Sequence, residues 1–169
     1  MPFVVCFIGW HNSGKTTLVS RVVALLKARG HRVAVIKSTK EQGLLGEPPQ
    51  ADTALHRRAG ADAVALVAPD QFLLRTAPPT EDLMSLVLRY FNDMDFVLAE
   101  GFKRATKVMK IEVRRDAQAP LLCEQVANVV GVVTDQAVDK GLVFAVDDIA
   151  ALVDWIEAQR AVSPEARHG

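Results

Sequence analysis

The chain has little cysteine, few aromatic residues and no excess of charge of either sign. Cys6 and Cys123 are its two cysteines. Neither stands in a C-x-x-C or Cys/His spacing, which argues against zinc-ribbon, dithiol-redox and disulfide-framework classes. Both read as small, buried side chains in a reducing compartment. Lys plus Arg and Asp plus Glu number 20 each, so no net field draws the molecule to nucleic acid or to an anionic membrane. No apolar run approaches the roughly 20 residues of a transmembrane helix, and no basic stretch precedes the apolar residues 3–8 as it would in a secretory signal. The expectation is a cytoplasmic protein with neither a nucleic-acid nor a membrane partner.

What is present suits a globular α/β unit. Half of the residues are hydrophobic, enough to bury a core in a chain of this length without staples. Residues 3–8 form a continuous apolar run ending at Gly9, the pattern of a strand buried on both faces of a parallel sheet. Leu18, Val19, Val22, Val23 and Leu26 then recur at helical spacing, with Gly30 as stop. Val33 to Ile36 is a second strand, read as neighbouring the first, and residues 38–50 read as a mobile polar loop. Asp52 is placed as the cap of a short helix ending at Gly60. Residues 63–67 and 71–75 pair around Pro69 and Asp70 as a hairpin that joins the sheet. Glu81 and Asp82 open a helix burying Leu83, Leu86, Val87, Tyr90 and Phe91, and residues 96–99 form the next buried strand. Met109, Ile111 and Val113 alternate with Lys110, Glu112 and Arg114, which reads as a strand with one wet face near a sheet edge or an interface. Residues 129–133 and 142–146 complete the strands, and Asp147 or Asp148 caps a last helix. The fold class is a P-loop NTPase fold: a mostly parallel sheet, helices on both faces, and an antiparallel hairpin or edge strands. One domain spans 1–159, with a flexible tail at 160–169.

The chemistry is concentrated in the first turn. Gly9, Trp10, His11, Asn12, Ser13, Gly14, Lys15 and Thr16 match G-x-x-x-x-G-K-[ST] between a strand and a helix, the context that this motif requires. The glycines let backbone amides and the helix N-terminus face phosphate oxygens. Lys15 reaches the β- and γ-phosphates, Thr16 offers its hydroxyl to Mg²⁺, and Thr17 closes the nucleotide-binding set. His11 is a solvent-facing loop residue by position, with a base role as the alternative. A magnesium site also needs a carboxylate at the C-terminal end of a neighbouring strand. Asp95 and Glu100 bracket one strand about 16 Å apart, so only one reaches that end. Glu100 is assigned there, and Asp95 is assigned a structural role. Lys37, closing the second strand, is either a solvated lysine or part of a second anion site. Asp52 is mainly a cap, with a metal or nucleotide contact as the alternative, and Arg57 and Arg58 read as a wet face. A guanine-reading [NT]-K-x-D segment is incomplete: Thr134 and Asp135 follow a late strand, but the lysine is missing.

Together the P-loop, the run Val35 to Lys40, the D-T-x-x-x-x-x-A-G-A segment from Asp52 to Ala61, the V-L-x-E-G-F-K segment from Val97 to Lys103 and the run Lys110 to Val113 resemble the molybdopterin-guanine dinucleotide biosynthesis protein B (MobB) family. The resemblance extends to about Gln159. It implies a GTP-binding, weakly GTP-hydrolysing adapter, usually a homodimer, that assists the guanylyltransferase attaching GMP to the molybdopterin cofactor. By the same resemblance Gly14, Lys15 and Thr16 hold phosphate and Mg²⁺, Glu100 supports the metal, and Asp135 contacts guanine. The family's histidines after the second-strand lysine are replaced here by Ser38, Thr39 and Lys40, which puts any metal or cofactor role of that run in doubt. No arginine finger or positioned glutamine is identifiable, so hydrolysis is expected to be slow, with a dimer partner as one source of the missing group. A metallochaperone GTPase and a small-molecule kinase using the same P-loop are the alternatives.

Overall fold

The computed structural model describes residues 1–41, 48, 50–139 and 141–163. The expected loop at 38–50 and the tail at 160–169 therefore lie partly outside the described residues. The chain divides into two compact units, Met1–Thr39 with Asp82–Gly169, and Lys40–Glu81.

The larger unit is built on a six-stranded sheet. Its strands are β1 (Phe3–Ile8), β2 (Val33–Lys37), β5 (Phe96–Glu100), β6 (Met109–Val113), β7 (Val129–Val133) and β8 (Leu142–Phe144), in the order β2-β5-β1-β6-β7-β8. Every pairing in it is parallel, so all six strands end on the same side. On one face α1 (Lys15–Ala28) and α4 (Ile149–Val162) pack Leu18, Val22, Leu26, Leu152 and Ile156 against Val5, Phe7, Leu98 and Ile111. On the other, α3 (Leu83–Tyr90) contributes Leu83 and Val87 to a cluster with Val4, Cys6, Ile8, Val97 and Ala99. The central strands are buried from both sides, which is why they read as unbroken apolar runs. Burial pushes the Cys6 thiol up to about 12, against the pull of Lys110.

The smaller unit holds α2 (Asp52–Arg58), β3 (Ala63–Val67) and β4 (Phe72–Thr76). The two strands form an antiparallel sheet of their own, with Val67 opposite Phe72 and Ala63 opposite Thr76. This corrects the expectation that they join the main sheet. Asp52 is likewise not a cap: Ala51 occupies that position, and Asp52 is an acidic first-turn residue, which suits the helix dipole.

Three further expectations are corrected in the larger unit. The second strand does not neighbour the first, because β5 lies between them. Tyr90 is 43% exposed, not part of the inward face of α3. Most consequentially, β6 is an interior strand between β1 and β7, with no wet face: Lys110, Glu112 and Arg114 are all buried. Their charges meet the backbone of the segment that follows. Lys110 Nζ donates to Ala127 O, Glu112 accepts the amides of Leu122 and Cys123, and Arg114 donates to Ala117 O and Ala119 O. Buried ionic groups persist when bonded in this way. The interface first assigned to this strand therefore has no free surface there. At the chain's far end Asp148 caps α4 by accepting from Ala151 N, and the helix runs on to Val162, past the boundary placed at 159.

Candidate functional site

The parallel register gathers the C-terminal ends of β1, β2, β5 and β6 at one rim, where ligands of open α/β sheets bind. There β1 gives way to the loop Gly9–Gly14. A Cβ on Gly9 would lie 2.4 Å from Ser13 Oγ and 2.5 Å from Val113 O, so any larger residue would force the loop off the sheet. Asn12 (φ 57) and Gly14 (φ 85) adopt left-handed conformations that Asn and Gly tolerate best, and this turns the chain directly into α1 at Lys15. Ser13 N donates to Trp10 O at 3.3 Å.

Lys15 folds back over this loop, with Nζ 2.7 Å from Trp10 O, 3.2 Å from Ser13 Oγ and 3.3 Å from Gly9 O. Burial lowers its pKa from the ordinary lysine value; Glu100 opposes the shift, and Lys103 and Lys37 add to it. Burial and the neighbouring cations disfavour the charged ammonium until an anion arrives.

Beside it, Thr16 Oγ1 donates to Glu100 Oε1 at 2.8 Å. Lys37 Nζ lies 3.0 Å from the same carboxylate oxygen and 3.3 Å from Thr16 Oγ1. The contact follows from register, since Glu100 pairs with Phe7 on one side and Lys37 on the other. Gly101 (φ 94) then turns the chain away, with Ser38 O only 3.2 Å from where its Cβ would stand. Thr16 and Glu100 are hard oxygen donors on facing elements, a pair suited to Mg²⁺, which takes one or two protein oxygens and completes its shell with phosphate and water. Among the described residues no group of three or more His, Cys, Asp or Glu side chains could hold a metal, so the donor set is of that sparse kind.

The remaining sequence candidates are spread around this centre. Trp10 is 39% exposed; its Nε1 donates to Pro120 O, and Lys103 Nζ stands 4.5 Å over its ring. His11, Asn12 and Thr17 are exposed, and Thr17 lines an open groove along α1 with Thr16, Ser20, Arg21 and Ala24. Asp135 is exposed just beyond β7, after a buried Thr134 whose Oγ1 accepts from Gln136 N. Asp95 sits at the opposite end of β5, accepting from Arg32 N and from Arg160 Nη2.

Sequence reasoning missed Lys103 and Arg115. The Nε of Arg115 would be 2.9 Å from a Cβ on Gly14. The available signal was the pair Arg114 and Arg115 closing a strand; once that strand was placed at an edge, the pair pointed nowhere.

Comparison with known proteins identifies the family. The chain is 29% identical over 160 residues to the molybdopterin-guanine dinucleotide biosynthesis adapter protein of Escherichia coli strain K12, covering 90% of each. It is 32% identical over 171 residues to the probable adapter protein of that name from Bacillus subtilis strain 168, covering 94% of each. A crystal structure of molybdopterin-guanine biosynthesis protein B superposes with a TM-score of 0.74 at 28% identity, over 93% of this chain and 99% of that one. The family model described as molybdopterin guanine dinucleotide synthesis protein B matches residues 4–135, and the chain belongs to this MobB family.

Proposed function

We propose that the protein is a GTP-binding adapter of molybdopterin guanine dinucleotide biosynthesis that binds its nucleotide with Mg²⁺ and hydrolyses it slowly. The observation that carries this reading is the contact of Thr16 Oγ1 with Glu100 Oε1 directly beside the Lys15 loop. It joins the phosphate-binding turn to a carboxylate on the adjacent strand. Thr16 and Glu100 would hold Mg²⁺, which when bound would supply neutralisation of phosphate charge. Lys15 would leave its loop carbonyls to reach phosphate, Thr16 would offer its hydroxyl oxygen to the cation, and Glu100, held by Lys37, would orient that side of the site. Asp135 is the candidate guanine contact, because it follows a strand of the same parallel sheet at the same rim.

The partners on this reading are the molybdenum cofactor guanylyltransferase and the molybdopterin cofactor that it modifies, in the cytoplasm. The relatives' names support the pathway. Among the described residues no helix is long and apolar enough to cross a membrane. A homodimer belongs to the proposal as well; of the two segments that suggested it, β6 and the β3–β4 hairpin, only the hairpin offers an exposed surface, with Leu66, Val67, Phe72, Leu73 and Leu74.

Titration calorimetry with GTP and with ATP at fixed Mg²⁺ tests the ligand class. The expected outcome is tighter GTP binding with inorganic phosphate as the slow product. Equal binding of ATP, or a phosphorylated metabolite as product, would replace the adapter with a kinase.

A further inference from the structure

Arg115 directly follows Arg114 at the end of β6. A Cβ built on Gly14 would stand 2.9 Å from its Nε, 3.1 Å from Cζ and 3.4 Å from Nη2. The guanidinium therefore lies flat against the left-handed corner at which α1 begins. Its backbone is firmly held: Arg114 is buried and bonded to Ala117 O and Ala119 O, Glu112 pins the amides of Leu122 and Cys123, and Trp10 Nε1 ties the same segment to the phosphate loop through Pro120 O.

Among the described residues the charge on Arg115 has no counterpart. The side chain is exposed, and its guanidinium makes no ion pair with any described carboxylate. It sits at the positive end of a 14-residue helix, against Gly14, the residue before Lys15, whose own surroundings include Lys37 and Lys103. An arginine keeps its charge at every accessible pH, so by itself the arrangement is electrostatically uphill. Phosphate reverses the sign, because a planar guanidinium donates two parallel bonds to its oxygens.

We infer that Arg115 is a phosphate-binding residue supplied in cis, donating to the phosphate chain of the nucleotide that the Gly9–Thr16 loop holds. This inference rests on the nucleotide-binding reading above. It gives the site a fourth cation, just past the end of β6, where Lys15 comes from α1 and Lys37 from β2, without help from a second subunit.

The alternative is that Arg115 merely pads Gly14, and the experiment separates the two. Wild type, Lys15→Ala, Arg115→Gln and Arg115→Lys are each titrated with Mg·GTP and with inorganic tripolyphosphate, and their ligand-free thermal unfolding is recorded. Arg115→Gln should weaken both probes about tenfold, the scale of one charge-assisted hydrogen bond. Arg115→Lys should recover part of the loss, and the ligand-free melting temperature should not fall. Unchanged affinity in Arg115→Gln overturns the inference, with or without a lower melting temperature. So does a loss confined to GTP, which would put the guanidinium on the base or ribose. A wild type that binds neither probe overturns the nucleotide reading itself. A response to Lys15→Ala with none to Arg115→Gln overturns this inference alone.

Discussion

Thr16 Oγ1 lies 2.8 Å from Glu100 Oε1, which joins the first turn of α1 to the C-terminal end of β5. Asp95 begins the same stretch at the opposite end, bonded to Arg32 N and Arg160. The two carboxylates therefore separate binding from stability. Glu100→Gln should weaken Mg²⁺-dependent GTP binding by at least tenfold while leaving binding without metal nearly unchanged, whereas Asp95→Asn should alter neither. Titration with and without Mg²⁺ measures both, and the reverse ranking would remove Glu100 from the metal site.

Asp95→Asn should instead cost about 1–2 kcal/mol of stability at neutral pH, the scale of hydrogen bonds to a charged group discounted for partial exposure. The backbone bond from Arg32 lowers the pKa of Asp95, burial opposes it and Arg160 reinforces it. A carboxylate depressed on folding stabilises above its unfolded pKa and loses that contribution as pH falls through the folded value. Urea unfolding curves of wild type and variant should therefore differ at neutral pH and converge below the ordinary value of 3.8.

Lys15→Ala should abolish detectable triphosphate binding with the fold intact, because its ammonium contacts loop oxygens and packs in no core. Burial holds its pKa below 10.5, and bound phosphate, favouring the charged form, must raise it. Affinity is then full below the free-protein pKa and falls as pH rises through it toward the bound value. Inorganic tripolyphosphate, which has no base to titrate, should lose affinity before pH 10.5 is reached. A flat profile to that pH would mean that Lys15 does not supply the charge.

Much of the site was legible from local pattern. The P-loop needs one strand, one turn and one helix in series, and Glu100 needed only the direction of its strand. What was not legible depended on strand order. The alternation of Lys110, Glu112 and Arg114 with Met109, Ile111 and Val113 is the pattern of a half-solvated strand. Here the polar side faces the backbone of residues 117–127, which supplies carbonyls and amides that no side-chain pattern records. With β6 misplaced, Arg115 at its end could not be connected to Gly14.

The interior place of β6 decides how variants in this strand behave. Ile111 is fully buried and pairs with Phe7 on one side and Gly131 on the other. Ile111→Glu should therefore unfold the subunit, costing more than about 4 kcal/mol as an unpaired buried charge. Glu112→Gln, which retains one acceptor for two amides, should cost about 2 kcal/mol. Far-UV circular dichroism during urea titration measures both. A folded, monomeric Ile111→Glu would restore the interface reading of this strand.

Association should depend on the hairpin instead. Facing partners in an antiparallel pair share one side, so Val67, Phe72 and Leu74 lie on one face and Leu66 and Leu73 on the other. All five are exposed, with Val67 at 78% and Phe72 at 63%. An isolated two-stranded ribbon is marginally stable in water, and one with apolar residues on both faces and unpaired edge amides attracts a second copy of itself. A two-fold pairing of hairpins would cover both liabilities with one contact. Phe72→Glu and Val67→Glu should thus give folded monomers that still bind Mg·GTP, whereas wild type should run as a dimer in light scattering at micromolar concentration. A wild type that stays monomeric across the accessible concentration range would leave the hairpin without a second copy to cover it, and the homodimer would have to be abandoned. The cis placement of Arg115 against Gly14 would survive that result, because both residues belong to one chain.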